Sequence, residues 1–192
     1  MPASTGYGDP VQKLFKFDDG ERVVGALSLD PRLEVPETLV AVSARGYALR
    51  FALAPYQEVS TRAGRRYARP GKEDEVMGVT PASPRDLLAV VTQKARALVC
   101  KVNAVNELSG PGRGVTVIKL EKDDRVLAFL CTAKRDAALE LETSKGRKLT
   151  LSPGRYEVSA RGGRGREMAK RETVKLLATP FTWTPLPEKK DS

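Results

Sequence analysis

The side chains with chemical potential in this chain are charged, and they sit in turns. Carboxylates fall at Asp18 and Asp19, at Asp74, at Asp123 and Asp124, and in a weaker copy at Glu172. A carboxylate pair can hold a divalent cation or divide into an acid and a base. A catalytic site occurs once, whereas these turns repeat along the chain. Recurrence therefore favours a structural turn, in which Asp bonds nearby backbone. The run Arg161-Gly162-Gly163-Arg164-Gly165 has the glycines of a phosphate cradle but not the GxxxxGK[ST] spacing, and no helical pattern follows it. It reads as a turn whose backbone can approach a phosphate closely. There is no histidine, so the commonest base at neutral pH is missing. Cys100 and Cys131 lie inside apolar strand patterns and read as buried thiols, because no further Cys or His exists to complete a metal site. No catalytic residue, metal or cofactor is implied, and an enzyme is disfavoured.

The remaining chemistry is cationic. One set of bases occupies hairpin turns and their flanks: Arg45, Arg50, Lys94, Arg96, Lys101, Lys145, Arg147 and Lys148. A second set occupies glycine-rich stretches: Arg62, Arg65, Arg66, Arg69, Arg113, Arg161, Arg164 and Arg166. The net charge of the 192-residue chain is +9. It is unevenly placed, with net −2 over residues 1–58, +4 over 59–108, +3 over 109–158 and +4 over 159–192. Such a balance suits a polyanion. Few aromatics interleave the basic turns, which disfavours stacking on single strands. No basic amphipathic helix is present, which disfavours a membrane surface. No apolar run reaches the roughly 18 residues of a membrane span, and MPASTGYGDP lacks the pattern of a signal peptide. Nucleic acid is the partner these features favour. The alternative is a propeller-like protein-interaction module with a basic face.

The elements that place these residues repeat. ERVVGA (Glu21–Ala26), DEVMGV (Asp74–Val79), DRVLAF (Asp124–Phe129) and ETVKLL (Glu172–Leu177) share an acidic turn followed by an apolar run. Their valines, Val23, Val76, Val126 and Val174, are separated by 53, 50 and 48 residues. Between them lie LVAVSARGYALRF (Leu39–Phe51), LLAVVTQKARALVCKV (Leu87–Val102) and LELETSKGRKLTL (Leu139–Leu151), each an apolar strand, a basic turn and another strand. Glycine- and arginine-rich stretches (Ser60–Pro70, Ser109–Lys119, Ser159–Lys170) precede the later acidic turns. Ser109–Leu130 is the best-patterned copy, predicting a strand on each side of Asp123-Asp124. Four short strands in about 50 residues predict a propeller-like blade. The units are expected at about 8–58, 59–108 and 109–158. A cut-short fourth unit runs over 159–178, within one domain spanning 1–178, and a proline-rich charged tail follows at 179–192. Only Val105–Leu108 offers room for a helical turn.

These markers, in this order, resemble the C-terminal domain of bacterial type IIA topoisomerase A subunits, those of DNA gyrase and topoisomerase IV. GRGVTVIKLEKDDRVLAF, LELETSKGRKLTL and ALRFALAPYQEVSTRAGRRYARPGKEDEVMGV carry the likeness. The resemblance implies an all-β fold, a β-pinwheel of about four four-stranded blades that exchange strands with their neighbours, the last one incomplete. It implies sequence-independent binding and bending of duplex DNA by an accessory domain. It also implies two protein partners, the rest of the A subunit plus an ATPase B subunit, in the cytoplasm at the nucleoid. The nucleophilic tyrosine of such enzymes belongs to a separate helical domain. Arg66-Tyr67 and Arg155-Tyr156, set among strands and turns, are instead expected to pack. Gyrase members carry a box reading roughly QRRGGKG. The nearest stretch here, Ala160–Arg166, lacks the leading Gln-Arg, has Arg for Lys and lies in the last unit. That departure points to a topoisomerase IV-like member.

Overall fold

The computed structural model describes residues 10, 13, 15, 17–30, 32–58, 60–61, 64–134 and 136–177. Among them the strands are β1 (Thr38–Ser43), β2 (Tyr47–Ala52), β3 (Val76–Pro81), β4 (Leu87–Thr92), β5 (Arg96–Lys101), β6 (Val115–Thr116), β7 (Val126–Thr132), β8 (Leu139–Thr143), β9 (Lys148–Leu151), β10 (Arg166–Glu167) and β11 (Val174–Leu176). The three predicted hairpins form as β1–β2, β4–β5 and β8–β9. The first two close through three-residue loops that end in the left-handed Gly46 (φ 82°) and Ala95 (φ 57°), and the third through residues 144–147 with Gly146 (φ 79°) left-handed. The hydroxyl oxygens of Ser43, Thr92 and Thr143 accept the backbone N–H of Tyr47, Arg96 and Arg147 at 3.2, 3.3 and 3.2 Å. Hydroxyl residues at this point satisfy backbone donors that the tight loop leaves unpaired.

The sheets cut across the sequence units. Strand order is β3-β1-β2-β6 in the first sheet, β10-β5-β4-β7 in the second and β11-β8-β9 in the third, all antiparallel. Each hairpin takes its partner on one side from the following repeat. The first two hairpins also take a two-residue strand, on the other side, from the repeat after that. A blade is thus assembled from neighbouring repeats, and not from one 50-residue unit as predicted. The two strands of Ser109–Leu130 do not pair with each other: β6 joins the first sheet and β7 the second. The acidic turn between them carries the chain from one sheet to the next. β10 and β11, from the last unit, complete the second and third sheets.

The expected strand at Glu21–Ala26 is not formed. That stretch runs beside β3, where a Cβ on Gly25 would stand 3.2 Å from the Val79 carbonyl oxygen, and Val23 is 57% exposed. No hairpin among the described residues precedes it. The helical turn expected at Val105–Leu108 lies earlier, as a 3-10 turn at Val102–Ala104. A helical turn at Ala54–Gln57 and a 3-10 turn at Pro153–Arg155 follow the other two hairpins at the same point.

The sheets stack face to face, so the hairpin strands are buried on both sides and read as continuous apolar runs. Val40 and Val42 of β1 meet Leu88 and Val90 of β4 in one core, closed by Val117 and Ile118. Ala89 and Val91, on the opposite face of β4, meet Leu139 and Leu141 of β8 in a second core. Cys100 belongs to the first core, and Cys131 packs against it. Both are unbridged thiols, on strands that flank Leu88 from opposite sides. Two strand spacings of about 4.8 Å put them beyond disulfide reach. Leu39, Ala41, Leu49 and Phe51 form a third core with Tyr56 and Tyr67. Tyr67 stacks on Phe51 with centroids 4.7 Å apart, and Tyr156 packs against the second core, so both tyrosines are packing groups as expected. The outer side of the third sheet breaks this series. At the points of Val40 and Val42, β8 carries Glu140 and Glu142, which bind Thr150 (3.0 Å) and Lys175 (3.0 Å).

The acidic turns lock the repeats together. The Asp74 carboxylate accepts the Ser43 hydroxyl at 2.7 Å and the Arg45 N–H at 2.8 Å. Asp124 accepts the N–H of Lys94 at 3.0 Å and of Arg125 at 2.9 Å, and is itself 1% exposed. Glu172 takes the corresponding place at the third hairpin, where Lys145 and Arg147 pair with it at 3.9 and 3.5 Å. Asp74, Asp124 and Glu172 are therefore structural.

Asp124→Ala should lower unfolding free energy by about 2 kcal/mol, since it removes a buried charged acceptor from two part-buried backbone donors. Denaturant unfolding should show a lower midpoint at unchanged slope, and an unchanged midpoint would mean the turn is held otherwise. Burial pushes the Cys100 thiol up to about 11. Burial and the nearby Asp86 carboxylate raise Cys131 still further. The stability gained from neutral thiols is then full below their ordinary range and falls as pH rises through it. Iodoacetamide at pH 8 should leave both thiols unmodified in the native chain and label both in urea.

Candidate nucleic-acid interface

At the hairpin-turn end of the first two sheets an open cleft gathers residues from five parts of the chain. It is lined by Arg45 and Tyr47 of the first hairpin, Arg96 of the second, and Arg113, Thr116 and Arg164 of two glycine-rich entry segments. Gly71–Asp74 and Ile118–Asp123 form its remaining walls. Seven cations (Arg45, Lys72, Arg96, Arg113, Lys119, Lys122, Arg164) face four carboxylates (Glu73, Asp74, Glu121, Asp123).

Glycine places the two entry arginines. Gly114 (φ 80°) crosses so close to β2 that a Cβ would stand 2.1 Å from the Ala48 carbonyl oxygen. Gly165 (φ 68°) crosses β5 in the same way, 2.7 Å from the Ala97 carbonyl oxygen. Any side chain there would clash and also be strained by the left-handed backbone. Each glycine is preceded by an arginine that is thereby held at the cleft. The Arg113 guanidinium lies 3.9 Å over the Tyr47 ring, a cation–π contact of about 0.5–1 kcal/mol at an exposed site. Arg96 donates to the Gly165 carbonyl at 3.2 Å.

The predicted residues divide. Arg45, Arg96, Arg113 and Arg164 converge on the cleft. Lys94 lies at its border, bound to Glu121 at 3.3 Å. Lys145 and Arg147 sit at the third hairpin turn with Glu172. Arg50 is not a rim residue: its Nε donates to the Val105 carbonyl at 2.7 Å, it pairs with Glu107, and only 13% of its side chain is exposed. Arg161 is likewise a strut, donating to the carbonyls of Ala104 (2.8 Å) and Thr116 (3.4 Å). Arg65 is not a counterpart of Arg113, because it binds the Pro55 carbonyl and Glu58. Arg66, Arg69, Lys101, Lys148 and Arg166 are exposed but lie outside the cleft. Arg62 lies outside the described residues. Lys72, Lys119 and Lys122 were missed by sequence reading. The 50-residue step from Lys72 to Lys122 matches the repeat and was the available signal.

A family model described as the DNA gyrase C-terminal domain, beta-propeller, matches residues 37–83 and again residues 86–133. Each match spans one hairpin together with the strand the next repeat donates to it, β1 to β3 and then β4 to β7. The chain belongs to this family. The gyrase A protein of Aminobacterium colombiense (strain DSM 12261 / ALA-1) is 28% identical over 165 residues, which cover 85% of this chain and 20% of that protein. The chain therefore spans a fifth of that relative's length. Among solved structures, the C-terminal domain of DNA topoisomerase IV superposes with a TM-score of 0.77 at 17% identity, covering 89% of this chain and 54% of that one. The E. coli ParC C-terminal domain gives 0.69 at 20% identity, covering 88% and 69%. A DNA gyrase A C-terminal domain gives 0.53 at 13% identity, covering 88% and 73%. The fold is thus the β-pinwheel, and the chain is a domain of the gyrase A C-terminal family.

Arg161→Ala should cost about 1–2 kcal/mol, because two backbone carbonyls lose a charged donor. Arg164→Ala should stay within about 0.5 kcal/mol of the parent. Thermal unfolding of the two variants separates strut from surface cation, and equal midpoints would contradict the assignment.

Proposed function

We propose that this gyrase-family domain binds duplex DNA without reading its sequence and bends it along the hairpin-turn end of its sheets. The observation that carries this reading is the convergence of Arg45, Arg96, Arg113 and Arg164 with Lys72, Lys119 and Lys122 on one open cleft. Cations gathered at an open surface neutralise phosphates and release counterions. Contacts spread over an arc of stacked sheets offset the elastic cost of bending, about 1–6 kcal/mol for a short site. Most of the bases are arginine, whose planar fork suits phosphate oxygens.

In this reading the chain works at the nucleoid as the accessory domain of an ATP-dependent type II topoisomerase, beside its ATPase subunit together with the rest of the A subunit. The nucleophilic tyrosine lies elsewhere in that enzyme, and the departures from QRRGGKG at Ala160–Arg166 favour a topoisomerase IV-like role. By itself the chain cleaves no DNA.

The test is titration of a fluorescent duplex of about 40 base pairs at two salt concentrations. With five phosphates contacted, affinity should fall roughly 500-fold between 50 and 200 mM salt. Absence of binding at the lower concentration would overturn the proposal, as would plasmid cleavage by the isolated chain.

A further inference from the structure

The basic residues around the cleft fall into two chemically different groups. The hairpin-turn cations are each matched by an acid from the following repeat: Arg45 pairs with Glu73 at 3.4 Å, Lys94 with Glu121 at 3.3 Å and Arg147 with Glu172 at 3.5 Å. Arg45 also donates to the backbone carbonyls of Glu73 and Lys122 at 3.4 and 3.3 Å. The two entry arginines are different. Among the described residues, no hydrogen bond or ion pair engages the guanidinium of Arg113 or Arg164, although both are solvent-exposed at the cleft. Each stands beside a backbone crossing that tolerates no Cβ, so its backbone is held at the cleft while no carboxylate pairs with its charge among the described residues. Arg113 is further held by its cation–π contact with Tyr47, with Cζ 3.9 Å from the ring centroid.

We infer that Arg113 and Arg164 are phosphate-contacting residues of the interface, one per successive sheet, and that Arg45, Lys94 and Arg147 are clamps that tie each hairpin turn to the next repeat. This rests on the duplex-binding reading above. A phosphate approaching Arg45 or Lys94 must compete with a carboxylate already in place. At Arg113 and Arg164 it displaces solvent ions alone, which is the step that produces a salt-dependent affinity. Tyr47 acts as a positioning residue for Arg113. Its counterpart in the second hairpin, Arg96, anchors the following entry segment through the Gly165 carbonyl.

The experiment compares neutralised variants of the whole chain by the slope of log affinity against log salt on the same duplex. Arg113→Gln with Arg164→Gln should reduce the slope by about 1.8, at roughly 0.9 per phosphate lost, with thermal stability unchanged. Paired neutralisation of a clamp and its acid, Arg45→Gln with Glu73→Gln or Lys94→Gln with Glu121→Gln, preserves net charge. It should leave the slope within about 0.3 of the parent while lowering the unfolding midpoint. Tyr47→Leu should weaken binding less than Arg113→Gln and should have no further effect in the Arg113→Gln background. An unchanged slope in the entry pair, or an equal reduction in a clamp pair, would overturn this division while leaving duplex binding intact. Failure of the parent chain to bind at all would instead remove the reading on which it rests.

Discussion

The carboxylates of Asp74 and Asp124 each reach back about 30 residues to the hairpin turn of the preceding repeat, and the assembly depends on these contacts. Asp74 does so to Ser43 and Arg45, and Asp124 to Lys94. Since β3 and β7 begin at Val76 and Val126, each carboxylate fixes where the donated strand starts against the hairpin it joins. Register in a sheet buried on both faces admits no slip, because a shift of one residue exchanges its faces. The acid also neutralises the neighbouring basic turn and directs the polypeptide into the next sheet.

Strand exchange makes every sheet a joint product of successive repeats, and that shapes both stability and surface. Apolar faces meet in pairs, Val40 and Val42 against Leu88 and Val90, then Ala89 and Val91 against Leu139 and Leu141. Glu140 and Glu142 stand where a further partner would require valine or alanine, giving the outer face of the third sheet a polar finish of the kind that terminal repeats use. The same exchange threads the entry segments across the hairpin edges. Only glycine fits at Gly114 and Gly165, so the adjoining arginines are delivered to one end of the stack. Architecture and the placement of charge thus follow from one constraint.

Much of this was legible in the chain. The three hairpins, the structural nature of the acidic turns, the packing role of Tyr67 and Tyr156 and the buried thiols follow from local pattern. So does the family, whose repeated markers are spread across residues 21–177. Partnering between repeats is where local reading failed. The two strands of Ser109–Leu130 are adjacent in sequence yet belong to different sheets, and periodicity carries no information about which strand lies alongside. Glu21–Ala26 has the text of β3 and β7, and among the described residues no hairpin precedes it. Arg50 and Arg161 look like their basic neighbours in sequence. Their burial against the carbonyls of Val105 and Ala104 arises from contacts 55 and 57 residues away.

The central claim is that an arc of stacked, strand-exchanging sheets holds duplex DNA in a curved path. Energy transfer between dyes at the two ends of a duplex of about 40 base pairs measures that curvature directly, since such a length is well below the persistence length of roughly 150 base pairs and is nearly straight when free. Saturating the duplex with this chain should raise transfer efficiency, and the rise should be lost at high salt. A saturated complex whose end-to-end distance equals that of free DNA would contradict the account.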